Sequence, residues 1–151
     1  MSRLVFVCWG NICRSPMAER VARRMIDEQG LDIEVESFGL STEEAGNGID
    51  RRAVAVLAEH GYDPAGHRAR TIRAEDLTGD TLFVAVEPFQ VERLRRLVPT
   101  ANVVLLNDLN PAKPQGEPLI DPWYGDKEGF YVTLTDIEAA MPGILEAALR
   151  A

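Results

Sequence analysis

Short apolar runs alternate with longer amphipathic stretches along the chain. The apolar runs predict four strands, over residues 4–7, 33–37, 81–86 and 102–106. The third and fourth runs are almost entirely apolar, which is typical of strands buried on both faces of a parallel sheet. Hydrophobic residues at helical spacing predict four helices, over residues 17–29, 51–60, 88–97 and 129–150.

The ends of these helices carry their own signals. The first helix stops at Gly30, and the second closes at Gly61, a residue type suited to a left-handed cap. Pro88 suits the first turn of the third helix. In the last helix, Thr135 with Glu138 is a candidate capping box that would start the helix late. Pro142-Gly143 predicts a kink or a division further along.

Strands that alternate with helices predict right-handed crossovers and an α/β fold. We expect a doubly wound, four-stranded parallel sheet with helices on both faces. A chain of 151 residues with 46% hydrophobic composition predicts one domain over residues 1–151. Ligands of such sheets bind beyond the carboxyl ends of the strands, and Cys8 directly follows the first strand.

Charge and composition narrow the classes of partner. A net charge of -8 argues against nucleic acid or an anionic membrane surface, since both require clustered Lys and Arg. The apolar runs are too short to cross a bilayer. Two cysteines, Cys8 and Cys13, do not make a secreted disulfide framework, and we find no signal peptide before the first strand. We therefore expect a cytoplasmic protein.

The stretch CWGNICRS, residues 8–15, places chemistry between the first strand and the first helix. Gly10 and Asn11 tolerate positive φ, so the backbone N–H groups of this loop can point inward and bind an anion. The helix start adds the positive end of its dipole, and the Arg14 guanidinium can hold two phosphate oxygens. The same field favours a thiolate, which makes Cys8 a candidate nucleophile.

Residue types alone leave other interpretations open. Cys8 could be an ordinary buried cysteine at a strand end. Asp121 lies before a proline in the long segment 107–128, which has no helical period, and Asp-Pro is a common turn former. His60 suits the end of its helix, where a cation complements the dipole. The loop lacks the Gly-Lys-Ser/Thr of a nucleotide-binding loop, and no Cys or His cluster has zinc-ligand spacing.

Three segments together resemble the low-molecular-weight protein tyrosine phosphatases. They are VCWGNICRSPMAE at 7–19, GHRAR at 66–70 and DPWYG at 121–125. The resemblance implies a phosphotyrosine phosphatase I-like fold with flavodoxin-like winding. It also implies hydrolysis of phosphotyrosine or aryl phosphates through a phosphocysteine intermediate, with no metal or other cofactor and with inorganic phosphate as a product.

The resemblance also implies a role for each site residue. Cys8 would be the nucleophile, Arg14 would hold the phosphoryl oxygens, and Asp121 would act as general acid and then general base. The implied phosphate-binding loop comprises Trp9, Gly10, Asn11, Ile12, Cys13, Arg14 and Ser15. The implied supports of that loop are Asn11, Ser15, Ser37 and His67, and the implied walls of the substrate slot are Trp9, Trp123 and Tyr124. Cys13 would be a redox partner that traps oxidised Cys8 as a disulfide.

The sequence departs from the family pattern in two places and leaves two alternative functions open. Residues 86–90, VEPFQ, replace the family's usual Met-Asp-x-x-Asn, and Phe38 replaces a usual alanine. Both changes put the packing beside the site in doubt. A thiol-dependent arsenate reductase on the same fold is the nearest alternative, and a phosphate-binding module without turnover is the next. We expect a monomer whose partner is a phosphotyrosine-containing protein or a small aryl phosphate.

Overall fold

A four-stranded sheet forms the centre of the molecule in a computed structural model that describes residues 2–77 and 80–150. The strands are β1 (Ser2–Cys8), β2 (Ile33–Gly39), β3 (Thr81–Ala85) and β4 (Asn102–Leu105). All pairings are parallel, and the strand order is β2-β1-β3-β4. The chain therefore winds outward in both directions from β1, as predicted, and a crevice forms where the winding reverses, beyond the carboxyl ends of β1 and β3.

Helices cover both faces of the sheet. Consecutive β1 side chains point to opposite faces and therefore pack against different helices. The helices are α1 (Arg14–Gln29), α2 (Arg51–Glu59), α3 (Pro88–Leu97) and α4 (Lys127–Arg150). Leu4 and Phe6 pack with α1, α2 and α4 in one apolar cluster. Val5 and Val7 pack with α3 in a second cluster on the other face. Among the described residues, no helix is long and apolar enough to cross a membrane.

The last helix is not divided at Pro142-Gly143, and it lacks the predicted capping box. Helix α4 runs undivided from Lys127 through Pro142 to Arg150. Buried residues before and after Pro142, including Met141 and Ile144, hold the helix together against the core despite the missing backbone donor.

The capping box predicted at Thr135 and Glu138 is also wrong. The Thr135 hydroxyl donates to the Tyr131 carbonyl one turn earlier, at 3.0 Å. The Glu138 carboxylate accepts from the Tyr62 hydroxyl instead of reaching back to a helix start. A hydrogen bond within α4 therefore decides the role of Thr135, and a tertiary contact decides that of Glu138.

Candidate active site

The loop between β1 and α1 surrounds the Cys8 sulfur with hydrogen-bonding groups. Cys8 is the last residue of β1 and only 3% exposed. Its sulfur lies 2.9 Å from the Ser15 hydroxyl oxygen and accepts the Asn11 backbone N–H at 3.3 Å. Asn11 takes the positive φ, 59°, that the tight turn requires, whereas Gly10 does not adopt one. Helix α1 begins at Arg14, earlier than predicted, so its amino end adjoins the loop.

Asn11 and its neighbours hold this loop in shape. The Asn11 amide nitrogen donates to the Ser15 hydroxyl at 2.8 Å and to the Ser37 hydroxyl at 3.0 Å. Its amide oxygen accepts from the Arg70 backbone N–H at 3.1 Å. His67 Nε2 donates to the Asn11 carbonyl at 2.7 Å. Burial lowers the pKa of His67, which favours the neutral ring in this contact. The four predicted supports thus meet at one point.

A buried glutamate extends the network, and sequence reasoning missed it. Glu19, on α1 and 3% exposed, accepts from the Ser37 hydroxyl at 2.7 Å and from Arg23 Nε at 2.7 Å. Because Ser37 donates to Glu19, and the Asn11 amide donates to Ser15, the Ser15 proton is free to point at the Cys8 sulfur. An acidic residue on the otherwise apolar face of α1 was the signal that could have revealed it.

Replacing Asn11 should separate its side-chain bonds from its backbone conformation. Asn11→Gly keeps access to positive φ but leaves buried partners unpaired, and we expect a loss of about 2–3 kcal/mol in the free energy of unfolding. We expect Asn11→Ala to be less stable than Asn11→Gly by roughly 1 kcal/mol. Alanine is strained in the left-handed conformation, and this strain is larger than the entropic cost of ordering glycine on folding. Urea unfolding of both variants measures this. An alanine variant as stable as the glycine variant would contradict it.

Arg14 connects the loop to two segments that lie much later in the sequence. Its side chain is 4% exposed, and Nη1 donates to the Leu119 carbonyl at 3.0 Å. Nη2 lies 3.4 Å from Glu87 Oε2 and 3.6 Å from Asp121 Oδ2. The Arg14 guanidinium is therefore held among two carboxylates and a carbonyl, which satisfies a buried charge.

The segment that departs from the family pattern is well packed. Gln90 Oε1 accepts the backbone N–H groups of Val86 and Glu87, at 3.1 and 3.2 Å. The longer Glu87 side chain reaches Arg14. Phe38 is buried in the second apolar cluster, where the Arg70 guanidinium lies 4.2 Å from its ring centroid. Both substitutions are thus accommodated beside the loop.

A cavity of about 380 Å³ opens above the Cys8 loop. Cys8 and Arg14 line it as its most buried members, and the three predicted slot residues, Trp9, Trp123 and Tyr124, line it as well. The aromatic residues are exposed, with Tyr124 88% exposed. Two acidic residues that sequence reasoning did not single out, Glu43 and Glu44, also line the cavity.

Asp121 enters the same cavity from the segment before α4. Its Oδ1 accepts the Trp123 backbone N–H at 3.0 Å, so the carboxylate caps the single helical turn Pro122–Tyr124. Its Oδ2 faces Arg14. Asp121 therefore forms the turn and also lines the cavity, so the two interpretations of this residue are compatible.

Cys13 is the second buried cysteine of the cavity, and both cysteines are free. Burial raises the pKa of the Cys13 thiol strongly, and Coulombic interactions with Asp50, Cys8 and Asp121 add to the effect. Cys13 is therefore held as a thiol. Among residues 2–77 and 80–150, no group of three or more His, Cys, Asp or Glu side chains could hold a metal ion.

The strand order and the Cys-x5-Arg loop at the sheet's switch point define a flavodoxin-like α/β protein. The chain belongs to the low molecular weight phosphotyrosine protein phosphatase family, whose sequence model matches residues 3–151. This confirms the resemblance and the predicted fold class.

Individual relatives agree with this membership. The low molecular weight protein-tyrosine-phosphatase of Streptomyces coelicolor is 42% identical over 152 residues, covering 96% of this chain and 92% of that protein. The crystal structure of a protein tyrosine phosphatase from Entamoeba histolytica has the same fold, with a TM-score of 0.91 at 24% identity and coverage of 99% and 98%. A Drosophila arginine phosphatase also matches, with a TM-score of 0.88, 26% identity and 97% of each chain covered.

Proposed function

We propose that this protein is a protein tyrosine phosphatase that hydrolyses phosphotyrosine or aryl phosphates through a phosphocysteine intermediate. The observation that carries the proposal is the convergence of Cys8, Arg14 and Asp121 on one cavity. A nucleophile, a cation and a carboxylate are the groups that metal-independent transfer of a phosphoryl group requires.

In the first step, the Cys8 thiolate attacks phosphorus and forms the S–P bond while the ester P–O bond breaks. The loop N–H groups and the Arg14 guanidinium hold the phosphoryl oxygens. Asp121, in its protonated form, gives its proton to the leaving phenolate oxygen. The Ser15 hydroxyl, 2.9 Å from the sulfur, stabilises the thiolate before attack and when the sulfur leaves again.

In the second step, water attacks the phosphocysteine. The Asp121 carboxylate removes a proton from that water, the S–P bond breaks, and inorganic phosphate is released with the Cys8 thiolate restored. The same carboxylate thereby serves both half-reactions. In this scheme the protein supplies every group that moves a proton, and no cofactor is needed.

The walls of the cavity favour an aromatic substrate. Trp9, Trp123 and Tyr124 line the cavity, and aromatic side chains pack favourably against a flat leaving group. A related fold carries an arginine phosphatase in Drosophila, so the test compares a phosphotyrosyl peptide with the same peptide bearing phosphoarginine. Faster turnover of phosphoarginine would overturn the substrate class, and arsenate-dependent consumption of a small thiol without phosphatase activity would favour the reductase.

We also propose that residues 1–151 form one domain that acts as a monomer in the cytoplasm. The interleaving of early and late elements in one sheet and one major core supports the single domain. The two free, buried cysteines fit a reducing compartment. Light scattering on the purified chain tests the monomer.

Cys13 is proposed to protect Cys8 from irreversible oxidation. Peroxide oxidises the Cys8 thiolate to sulfenic acid. The Cys13 thiol then loses its proton as its sulfur attacks the Cys8 sulfur, and the hydroxyl group leaves with a proton as water, forming the disulfide. After a peroxide pulse, added thiol should restore wild-type activity but leave Cys13→Ser largely inactive, because the unprotected sulfur proceeds to sulfinic acid. Activity recovered after thiol treatment is the measurement. Equal recovery in the two proteins would contradict the role.

A further inference from the structure

Arg52, in the first turn of α2, bridges two segments that the proposed chemistry needs. Its Nε and Nη2 donate to the two carboxylate oxygens of Asp50, both at 3.1 Å. Its Nη1 donates to two backbone carbonyls after Asp121, that of Trp123 at 3.2 Å and that of Gly125 at 2.8 Å. One planar guanidinium thus holds a carboxylate on one side and a turn of backbone on the other.

Ring contacts fix the same side chain. The Arg52 guanidinium carbon lies 5.4 Å from the Trp123 ring centroid and 4.8 Å from that of Phe130. Phe130 is fully buried at the start of α4 and anchors this end of the contact in the core. Two aromatic faces and four hydrogen bonds give Arg52 a defined position, although its side chain is 33% exposed.

Asp50 connects Arg52 to the Cys8 loop. The Asp50 backbone N–H donates to the Ile12 carbonyl at 2.8 Å, in the middle of the phosphate-binding segment. The Asp50 carboxylate also caps α2 by accepting the Arg52 backbone N–H at 2.9 Å. Burial raises the pKa of Asp50, but its hydrogen bonds to Arg52 outweigh this and leave the pKa below the ordinary value, so the carboxylate stays charged.

Contacts on the amino-terminal side of Asp121 do not fix the turn that follows it. Arg14 holds the Leu119 carbonyl, and the Thr133 hydroxyl donates to the Ile120 carbonyl at 3.2 Å. Beyond Asp121, Trp123 and Tyr124 project into the cavity and are exposed. The turn carries the N–H that orients the Asp121 carboxylate. The buried Pro122 anchors the start of this turn, and Arg52 holds its later part through the Trp123 and Gly125 carbonyls.

We propose that Arg52 is a positioning residue for the general acid, holding the turn 122–125 so that Asp121 faces the leaving-group oxygen. The inference rests on the proposed function of Asp121. Arg52 itself need not touch the substrate. Sequence reasoning did not reveal it, because Arg52 and its carbonyl partners are 71 and 73 positions apart.

The test measures kcat/KM for aryl phosphates whose leaving groups differ in their need for a proton. Phenyl phosphate requires general acid catalysis, and 2,4-dinitrophenyl phosphate does not. Since general acid catalysis typically contributes ~10²–10⁴-fold, we expect Arg52→Met to lower kcat/KM for phenyl phosphate by roughly 10–100-fold and for the dinitrophenyl ester by less than about 3-fold.

Two further variants sharpen the result. Arg51→Met removes an exposed arginine from the same helical turn and should leave both esters unchanged. In the double variant Arg52→Met with Asp121→Asn, the loss on phenyl phosphate should be no larger than for Asp121→Asn alone, because a positioning residue has nothing left to position.

Specific outcomes would overturn the inference. Equal losses on both esters would show that Arg52 supports phosphate binding or folding instead, and additive losses in the double variant would show an independent role. An unchanged kcat/KM for phenyl phosphate in Arg52→Met would show that the turn keeps its position without Arg52. If Asp121→Asn alone shows no leaving-group dependence, the proposed function of Asp121 fails first. Arg52→Lys keeps the charge without the planar fork, so a folded variant with an intermediate loss supports the geometry if Arg52→Met is unstable.

Discussion

Replacing Cys8 with serine should reduce hydrolysis of p-nitrophenyl phosphate to background, while EDTA should leave the wild-type rate unchanged. The serine hydroxyl is a far weaker nucleophile at the same position, and loss of a covalent nucleophile costs on the order of 10⁶-fold in a comparable case. Release of p-nitrophenol near pH 6, with and without chelator, is the measurement. Cys8 is buried against Ser15, so the smaller serine should not disturb the fold.

Cys13→Ser serves as the matched control, since it changes a neighbouring buried cysteine of the same loop. It should retain most of the activity in the absence of oxidant, because serine keeps the backbone N–H through which this position of the loop would hold phosphate. Residual turnover in Cys8→Ser comparable to wild type would remove the phosphocysteine intermediate from the mechanism. A folded wild-type protein with no activity would favour arsenate reduction or phosphate binding as the function. Glu87 and Phe38 would then be the first residues to substitute.

Asp121→Asn should have the second largest effect, and its size should depend on the leaving group. Asparagine keeps the acceptor for the Trp123 N–H, so the turn is preserved, but it has no proton to give. We expect kcat/KM for phenyl phosphate to fall by ~10²–10⁴-fold and that for an activated nitrophenyl ester to fall much less. A series of aryl phosphates measures the dependence.

Glu128→Gln is the control for this variant, because Glu128 is an exposed carboxylate in the first turn of α4, close in sequence to Asp121. It should leave the rate and its leaving-group dependence unchanged. Losses of equal size for all esters in Asp121→Asn would mean that Asp121 orients Arg14, which lies 3.6 Å away, instead of donating a proton.

Local patterns in the sequence were sufficient for the strands, for α3 and for the Cys8 loop. The apolar runs at 81–86 and 102–106 correspond to β3 and β4: β3 lies inside the sheet and is buried throughout, whereas β4 is an edge strand with only Val103 and Leu105 buried. Helix α3 spans Pro88–Leu97 as predicted, since its proline and its amphipathic pattern act within one segment. Cys8, Arg14 and Ser15 lie on one loop and the helix start that follows it, and the resemblance implied the contact between Ser15 and the Cys8 sulfur that the structure shows.

Features that depend on distant partners were not predictable in the same way. Pro142 is a helix breaker in isolation, and only burial on both sides of it keeps α4 whole. Glu19 was not identified as part of the site because its partner Ser37 comes from another element. Glu87 appeared as a departure from a family pattern, and the structure shows that its extra length ends at Arg14.

The hydrogen bond between Arg14 and the Leu119 carbonyl joins residues 105 positions apart, and this separation bears on biosynthesis. The ribosome produces the Cys8 loop well before Leu119, Asp121 and the helix that packs against α1. A nascent chain therefore exposes its reactive cysteine without the contacts that hold Arg14 in place. Phosphatase competence should therefore appear only after these later segments have emerged and folded onto the Cys8 loop.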